Sequence, residues 1–309
     1  MPWGNDLFQN LTRQFRKLGA ITILSGLLLF AACGNNDGSL ELTSHSVDVE
    51  GLTWHYVEGG EGEPIVFIHG LPESWYSWHY QLEDLAADYR VIAIDLKGYG
   101  QSDKADGDYS VPNVAEEIVA LLDFIGLEQF NLVSHDWGTV ISDYIAGNHP
   151  DRILRYVRMQ APLLQIDPAN HPQFALFQNQ ELATQMMSNA EQFVRFVYDS
   201  RTVQPIPEED MTRIIEEFSR EGVAEAVPRY FRDFGEGISE ERAALYAAMD
   251  FPILLLQADS DPAQPLWYFE GATDLFSNAK LQWIEVSGHF SELEQPEAVT
   301  EAIRDFLGR

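Results

Sequence analysis

Two types of hydrophobic and polar pattern alternate along the chain. Short continuous apolar runs are typical of buried parallel strands, and apolar residues at three- to four-residue spacing predict helices. Before the first run, two segments alternate apolar and polar positions, as paired antiparallel strands do. In chain order the predicted strands are residues 40–49, 52–60, 64–70, 91–94, 130–134, 152–160, 251–261 and 281–290, with helices at residues 112–126, 137–148 and 292–307. Strands that alternate with helices predict an α/β fold with a mostly parallel central sheet and helices on both faces.

One segment, residues 163–249, interrupts this alternation. It contains few continuous runs of β-type residues, and much of it has the spacing of apolar residues that predicts helices. We therefore predict a helical cap inserted over the carboxyl edge of the sheet, where open α/β sheets bind ligands. The predicted organisation is a core in two parts, residues 41–162 and 250–309, with the cap between them.

The beginning of the chain carries a different pattern. Basic residues precede an apolar run at residues 19–32, and Cys33 follows two alanines. This order is typical of a secretory signal, because the run is shorter than the roughly 20 residues that a membrane span needs. The cysteine resembles the lipobox of bacterial lipoproteins, although Phe30 replaces the usual leucine. We predict a signal peptide at residues 1–32, lipidation of Cys33, a tether at residues 33–40, and a lipid-anchored protein on the periplasmic or outer face of a bacterial membrane. Ordinary cleavage and an uncleaved anchor are the alternatives.

Composition narrows the functional classes. The chain of 309 residues has 49 acidic against 19 basic residues, and its formal charge of −30 disfavours nucleic acid and anionic membrane surfaces as partners. The acid excess is spread along the chain, so we interpret it as a solvated surface. Cys33 is the only cysteine, so no intrachain disulfide can form. We expect neither a metal ion nor a cofactor, and the sequence leaves the oligomeric state open.

The candidate chemistry begins at residues 130–141, which read FNLVSHDWGTVI. A strand, a sharp turn and a helix, with small residues two before and two after one central position, are the layout of a nucleophile elbow. With Asp136 in the centre, Ser134 and Gly138 are the small flanks. With Ser134 in the centre, the flanks would be Leu132 and Asp136, and neither is small. The sequence therefore predicts that the nucleophile is an aspartate, Asp136.

A nucleophile of this kind needs an acid and a histidine, which follow it in that order along the chain. Asp261 lies in the loop after the strand that ends near Gln257, and His289 lies in the loop after the last strand. Asp259 is the competing acid, but it lies closer to the end of its strand. We predict a triad of Asp136, Asp261 and His289.

An aspartate nucleophile restricts the reaction. Its reference pKa is about 3.9, so the carboxylate is already ionised at neutral pH. Attack on an acyl carbon would give an anhydride, whereas attack on a saturated carbon gives an alkyl ester, and we expect a tetrahedral carbon with a leaving oxygen or halide. His289, oriented by Asp261, would then activate the water that hydrolyses the ester. The backbone N–H groups of Leu71 and Trp137 are predicted to form the oxyanion hole.

Four motifs together carry a resemblance to a known family. They are HGLPESWYSW at residues 69–78, DLKGYGQSD at 95–103, SHDWG at 134–138 and SGHF at 287–290. As a set they resemble the α/β-hydrolase-fold epoxide hydrolases, to which the haloalkane dehalogenases are related. The resemblance implies the α/β-hydrolase fold, the predicted triad, a cap over the pocket, and a small apolar epoxide that is opened to a diol.

The cap departs from the family pattern. Epoxide hydrolases of this type place a tyrosine directly before an arginine, where it protonates the opening epoxide oxygen. Here Phe231 precedes Arg232, and Tyr230 is one residue earlier. Either the local register differs and Tyr230 is the acid, or the acid is missing. His171 and Tyr268 are the candidates for a second donor.

Further residues are assigned to substrate binding, and two other functions are considered. Trp75, Trp137 and His171 are predicted to contact the substrate. A haloalkane dehalogenase would use the same triad, with Trp137 as a halide donor, but Leu71 stands where many of those enzymes have a polar residue. A surface-tethered ligand-binding protein is the alternative that is not an enzyme.

Overall fold

A computed structural model of the protein describes residues 41–164, 173–234 and 238–308. Its strands are short and, apart from the first and the last, mostly buried, as the continuous apolar runs predict. They are β1 (Thr43–Val49), β2 (Leu52–Gly59), β3 (Pro64–Ile68), β4 (Arg90–Ile94), β5 (Phe130–His135), β6 (Ile153–Met159), β7 (Ile253–Ala258) and β8 (Ala279–Ile284).

The strands of the described residues form one sheet in the order β1-β2-β4-β3-β5-β6-β7-β8. β2 pairs antiparallel with both β1 and β4, and the remaining neighbours pair in parallel. The carboxyl ends of the parallel strands therefore lie along one edge of the sheet, and the loops that follow β3, β5, β7 and β8 begin at that edge. The prediction of a mostly parallel sheet is confirmed.

Helices cover the sheet on both faces. All residues from Ile65 to Ile68 in β3 are fully buried, and successive side chains of a strand point to opposite faces. On one face, a core cluster joins β3, β4, β5, β6, β7 and β8 to the helices His79–Leu85 and Pro296–Leu307. On the other face, the helix Asp136–Asn148 packs against the helices Val111–Phe124 and Ile238–Ala248. The core helices are α1 (His79–Leu85), α2 (Val111–Phe124), α3 (Asp136–Asn148), α11 (Ser291–Glu294) and α12 (Pro296–Leu307).

Between β6 and β7 the described residues form helices joined by loops. These elements are α4 (Gln173–Gln178), α5 (Gln180–Met187), α6 (Ala190–Asp199), α7 (Glu208–Phe218), α8 (Val223–Ala226), α9 (Pro228–Arg232) and α10 (Ile238–Ala248).

Two sets of hydrogen bonds attach this helical segment to the core. Asp210 of α7 accepts hydrogen bonds from the hydroxyls of Tyr76 and Tyr80 at 2.9 and 2.8 Å. Glu294 of α11 accepts from the backbone N–H groups of Val203 and Gln204 at 2.6 and 2.9 Å. The cap boundaries stay a prediction, but the helical character of this segment is confirmed.

The predicted signal peptide, the lipidation of Cys33 and the tether concern residues that the structure does not describe, and they stay predictions. The same holds for His171. Within the described parts of the chain, we find no helix with the length and apolar content that a membrane span requires.

Candidate active site

The elbow at the end of β5 has the strained geometry that a nucleophile turn requires. Asp136, the first residue of α3, has a φ of 47°, in the left-handed region that residues other than glycine rarely adopt. A Cβ atom at Gly138 would lie 2.4 Å from the backbone oxygens of Ile68 and His69. Only glycine fits there, because β3 passes directly beside the turn.

Ser134 takes no part in the tip of the turn. Its hydroxyl lies 3.0 Å from the Thr139 hydroxyl and donates to the Tyr156 hydroxyl at 3.1 Å, inside the core. The side chain is fully buried. The local geometry therefore places Asp136, and not Ser134, at the elbow.

The structure brings the three predicted triad side chains together. His289 Nδ1 lies 2.7 Å from Asp261 Oδ2, and His289 Nε2 lies 3.4 Å from Asp136 Oδ2. Asp261 is held in turn by the backbone N–H of Ala263, which donates to Oδ1 at 2.7 Å. Asp259 instead bonds to the Ser260 hydroxyl. Of the two candidate acids, the structure thus pairs Asp261 with the histidine, while the catalytic roles themselves stay predictions.

The three groups shift one another's pKa values. Burial opposes ionisation of Asp136, but the hydrogen bond and charge of His289 outweigh it and hold the pKa of Asp136 well below its usual range. Burial likewise disfavours a charged His289, but Asp261 and Asp136 together raise the pKa of His289 to about 9. In the free site at neutral pH, an imidazolium therefore lies between two carboxylates.

A backbone donor in the loop after β3 points at the Asp136 carboxylate. The N–H of Leu71 donates to Asp136 Oδ1 at 3.1 Å. A Cβ atom at Gly70 would lie 2.5 Å from the Asp136 Cβ atom, so the loop approaches closely only because residue 70 is glycine. Trp137 lies in the first turn of α3, where backbone N–H groups have no partner within the helix. Both predicted oxyanion-hole donors therefore adjoin Asp136, and their role stays a prediction.

Aromatic side chains of the cap pack around Trp137. Its ring centroid lies 5.1 Å from that of Phe231, 5.1 Å from that of Phe234 and 5.7 Å from that of Phe174. Trp137 itself is buried. The residue after Asp136 therefore contributes to an apolar wall, which suits a substrate with little polar surface.

Two tyrosines differ in what their hydroxyls contact. Tyr230 donates to the backbone oxygen of Lys97 at 2.7 Å, a contact that sequence reasoning did not anticipate. To protonate a substrate oxygen, Tyr230 would first have to break this bond, so its predicted role as the acid depends on that step. The Tyr99 hydroxyl is buried and has no hydrogen-bond partner among the described residues.

Tyr99 lies between two parts of the site. Its ring centroid is 5.1 Å from that of His69, which precedes Gly70 and Leu71, and 5.8 Å from that of Tyr230. Burial and the charge of Asp136 raise the pKa of Tyr99 well above its usual value. Sequence reasoning missed this residue, although it lies in the KGYG motif that contributed to the resemblance.

The remaining predicted contact residues are less informative. Trp75 is half-buried and packs on the core cluster that contains Phe67 and Trp78, and its contact with substrate stays a prediction. His171 lies outside the described residues. Tyr268 lies in the short 3₁₀ helix Leu266–Phe269, after β7.

A mostly parallel sheet in this strand order, with an elbow after β5 and an acid–histidine pair after β7 and β8, defines an enzyme of the α/β-hydrolase class. The chain belongs to the alpha/beta hydrolase fold family, whose profile matches residues 63–296.

Among curated proteins, the chain is similar to epoxide hydrolase 2 of Caenorhabditis elegans. The two are 27% identical over 283 residues, which cover 84% of this chain and 79% of the relative. Among solved structures, the epoxide hydrolase CorEH without ligand superposes with a TM-score of 0.76 at 24% identity, covering 86% of this chain and 99% of that one. A membrane phospholipase A, described as a bacterial virulence factor, superposes with a TM-score of 0.69 at 24% identity, covering 86% of each chain. At this identity the two structures show the shared fold, and the activity has to be argued from the site.

Proposed function

We propose that this protein hydrolyses epoxides to vicinal diols through an alkyl ester formed on Asp136. The observation that carries the proposal is the ionised carboxylate at the elbow, with the Leu71 N–H 3.1 Å from one oxygen and His289 Nε2 3.4 Å from the other. A serine hydrolase would need a hydroxyl at this position of the elbow, whereas an aspartate at this position is suited to attack on saturated carbon. The epoxide hydrolases among the relatives support the same reaction.

In the first step, Asp136 attacks a ring carbon of the epoxide. A carbon–oxygen bond forms to the carboxylate, the ring carbon–oxygen bond breaks, and a tyrosine hydroxyl gives its proton to the leaving oxygen. The negative charge moves from the carboxylate to the tyrosinate. Because the carboxylate is already ionised, this step needs no general base.

In the second step, water attacks the ester. Ester formation removes the Asp136 charge that helps to hold a proton on His289, so the imidazolium releases that proton to solvent and regains one only when Asp136 is a carboxylate again. Neutral His289, held by Asp261, takes a proton from water, and the hydroxide adds to the ester carbonyl carbon. The N–H groups of Leu71 and Trp137 stabilise the oxyanion that forms. The intermediate collapses to the diol, which takes its proton from His289, and the new carboxylic acid of Asp136 returns a proton to the tyrosinate.

The proton donor of the first step is one of two tyrosines. Tyr230 is the residue that the sequence predicts, but its hydroxyl is bonded to the Lys97 oxygen. The Tyr99 hydroxyl has no partner among the described residues, and this favours Tyr99 in the arrangement seen here.

Trapping the ester tests the proposed function. We expect His289→Gln to react once with a styrene-type epoxide and to stop as a covalent adduct on Asp136, because its second step lacks a base. Intact-protein mass spectrometry and peptide mapping would detect the adduct, and Asp136→Asn is the control that forms none. Binding without an adduct in any variant would indicate a ligand-binding protein. Halide release from haloalkanes without diol formation from epoxides would indicate a dehalogenase.

A further inference from the structure

Three ionisable side chains that the proposed reaction does not use lie next to the triad. Glu73, His135 and Glu292 have fully buried side chains, and one carboxylate oxygen of each glutamate and one ring nitrogen of His135 lie within 4.8 Å of one another. His135 directly precedes the nucleophile, and Glu292 lies three residues after His289. We call these three residues the buried acid cluster.

The contacts of His135 define its protonation. Its Nε2 lies 2.8 Å from the backbone oxygen of His289, so this nitrogen carries a hydrogen. Its Nδ1 lies 2.7 Å from Glu73 Oε1, and Glu73 Oε2 accepts from the Gly70 N–H at 2.5 Å. Burial opposes the charge, but Glu292 and Glu73 outweigh it and raise the pKa of His135 well above its usual value. His135 is therefore an imidazolium with Glu73 as its counter-ion.

Glu292 has no comparable partner. Its Oε2 lies 3.9 Å from His135 Nε2, which is too long for a hydrogen bond. Neither carboxyl oxygen has a hydrogen-bond partner in another described residue. An isolated carboxylate in this setting is costly, and such groups take up a proton instead. Burial raises the pKa of Glu292 to about 8; attraction to His135 offsets part of this effect, and repulsion from Glu73 adds to it.

The cluster has the residue types of a metal site, but its geometry favours a proton. The hydrogen on His135 Nε2 is directed to the His289 carbonyl, and Nδ1 faces the Glu73 carboxylate. Neither ring nitrogen therefore offers a lone pair to a cation. The second carboxyl group is left to be neutralised by a proton of its own.

We propose that Glu292 is a positioning residue that holds a proton at neutral pH and thereby keeps the buried acid cluster at zero net charge behind His289. The kinetic part of this inference rests on the proposed function. The titratable groups that act on Glu292 are His135, Glu73, His289 and Tyr198. While Glu292 is neutral, the positive charge of His135 favours a neutral His289, which is the form that can accept a proton from water. When Glu292 ionises, its charge opposes that of His135, and His289 retains its proton more strongly.

Thermal unfolding tests the proton on Glu292 without any substrate. The pKa of Glu292 is raised from 4.5 to about 8 in the folded protein, so between these values the folded state binds one proton more than the unfolded state. The wild type should therefore lose stability as the pH rises through this window. Glu292→Gln, which has the shape of the protonated carboxyl group, should lack this part of the loss.

We expect the Tm of Glu292→Gln to match the wild type at about pH 5 and to exceed it by at least about 3 °C at about pH 8.5. Glu297→Gln, an exposed position on α12, is the matched control and should show no such trend. A Tm difference that is the same at both pH values, or a lower Tm for Glu292→Gln at the higher pH, would overturn the inference. If the variant does not fold, infrared spectra of the wild type should show a protonated carboxyl band at pH 7 that is lost by about pH 9.5, and its absence at pH 7 would be equally decisive.

The kinetic readout separates a positioning role from a purely structural one. In single-turnover hydrolysis of the alkyl-enzyme, the wild-type rate should show an ionisation near pH 8, attributed to Glu292, in addition to that of His289. Glu292→Gln should lack it, and Glu297→Gln should retain it. A wild type that opens no epoxide would reject the proposed function, while the Tm comparison would still decide the protonation of Glu292.

Discussion

The carboxyl edge of the core sheet and the helical cap contribute to the site in different ways. In the core, each group of the site directly follows a strand or belongs to the loop beside it. Hydrogen bonds of 2.7 and 3.1 Å and an ion pair of 3.4 Å connect the groups. In the cap, the contacts near the nucleophile are aromatic rings 5 to 6 Å apart, measured between ring centroids. The core therefore holds the charged groups of the candidate site, and the cap lines it with aromatic surface. Chemistry should depend on single core atoms, and substrate choice on the sum of cap contacts.

The largest expected effect is in the core. We expect Asp261→Asn to lower steady-state turnover by roughly 10⁴-fold, because other triads lose about that much when the orienting acid is changed. Ring opening should continue, so the ester on Asp136 should accumulate in quenched samples. Asp259→Asn is the matched control, since Asp259 bonds to Ser260 and not to the histidine. Comparable losses in both variants would show that the acid has been assigned wrongly.

Identifying the proton donor would show whether a residue of the cap takes part in the chemistry. Whichever of Tyr99 and Tyr230 is the donor, its change to Phe should slow ring opening by about 10²- to 10⁴-fold. We expect the large effect for Tyr99→Phe and a much smaller one for Tyr230→Phe, measured as the rate of adduct formation in single-turnover experiments. The reverse result would return the role to the cap and would mean that Tyr230 leaves the Lys97 oxygen during the reaction.

A smaller effect is expected for the aromatic wall. Phe231→Leu removes an edge-to-face contact with Trp137, and such pairs contribute about 0.5 to 1.5 kcal/mol. We expect KM for an apolar epoxide to rise roughly 2- to 10-fold, with kcat nearly constant. Phe124→Leu, at a position 59% exposed on α2, is the control. A large fall in kcat for Phe231→Leu would show that the cap contributes to the chemical step as well as to substrate binding.

The smallest expected effect is on the pH dependence of ring opening. The pKa of Asp136 is held well below its usual range, chiefly by His289 against the effect of burial, so the nucleophile stays ionised through the neutral range. The rate of adduct formation in His289→Gln cannot test this, because the histidine is absent, so stopped-flow measurements on the wild type are needed. We expect less than about a twofold change between pH 5.5 and 7.5. A rate that falls tenfold over this range would place the controlling ionisation elsewhere.

The charge interaction of His289 with Asp136 and Asp261 should also make the stability of the folded protein depend on pH. The pKa of His289 is raised from 6.5 to about 9 in the folded protein. The contribution of its charge to stability is therefore complete below pH 6.5 and is lost as the pH rises through 9.

The order of strands and helices, the elbow at Asp136, and the choice of Asp261 and His289 could be predicted from the sequence. Each depends on short-range rules: apolar runs that end in a loop, and a glycine two residues after a tight turn. The preference for Asp261 over Asp259 also depended on its distance from the strand end. Residues that follow neighbouring parallel strands meet at one edge of the sheet, so chain order was enough to bring them together.

Tertiary structure decided what chain order could not. Sequence placed Tyr230 beside the site, but only packing shows that its hydroxyl binds the Lys97 oxygen and that Phe231 faces Trp137. Nothing in the local pattern marks Glu292, because its environment comes from His135 and Glu73, which lie far from it in the chain. Local rules act over a few residues and determine the backbone of the site, whereas the protonation and direction of a buried side chain depend on neighbours that only the folded chain brings together.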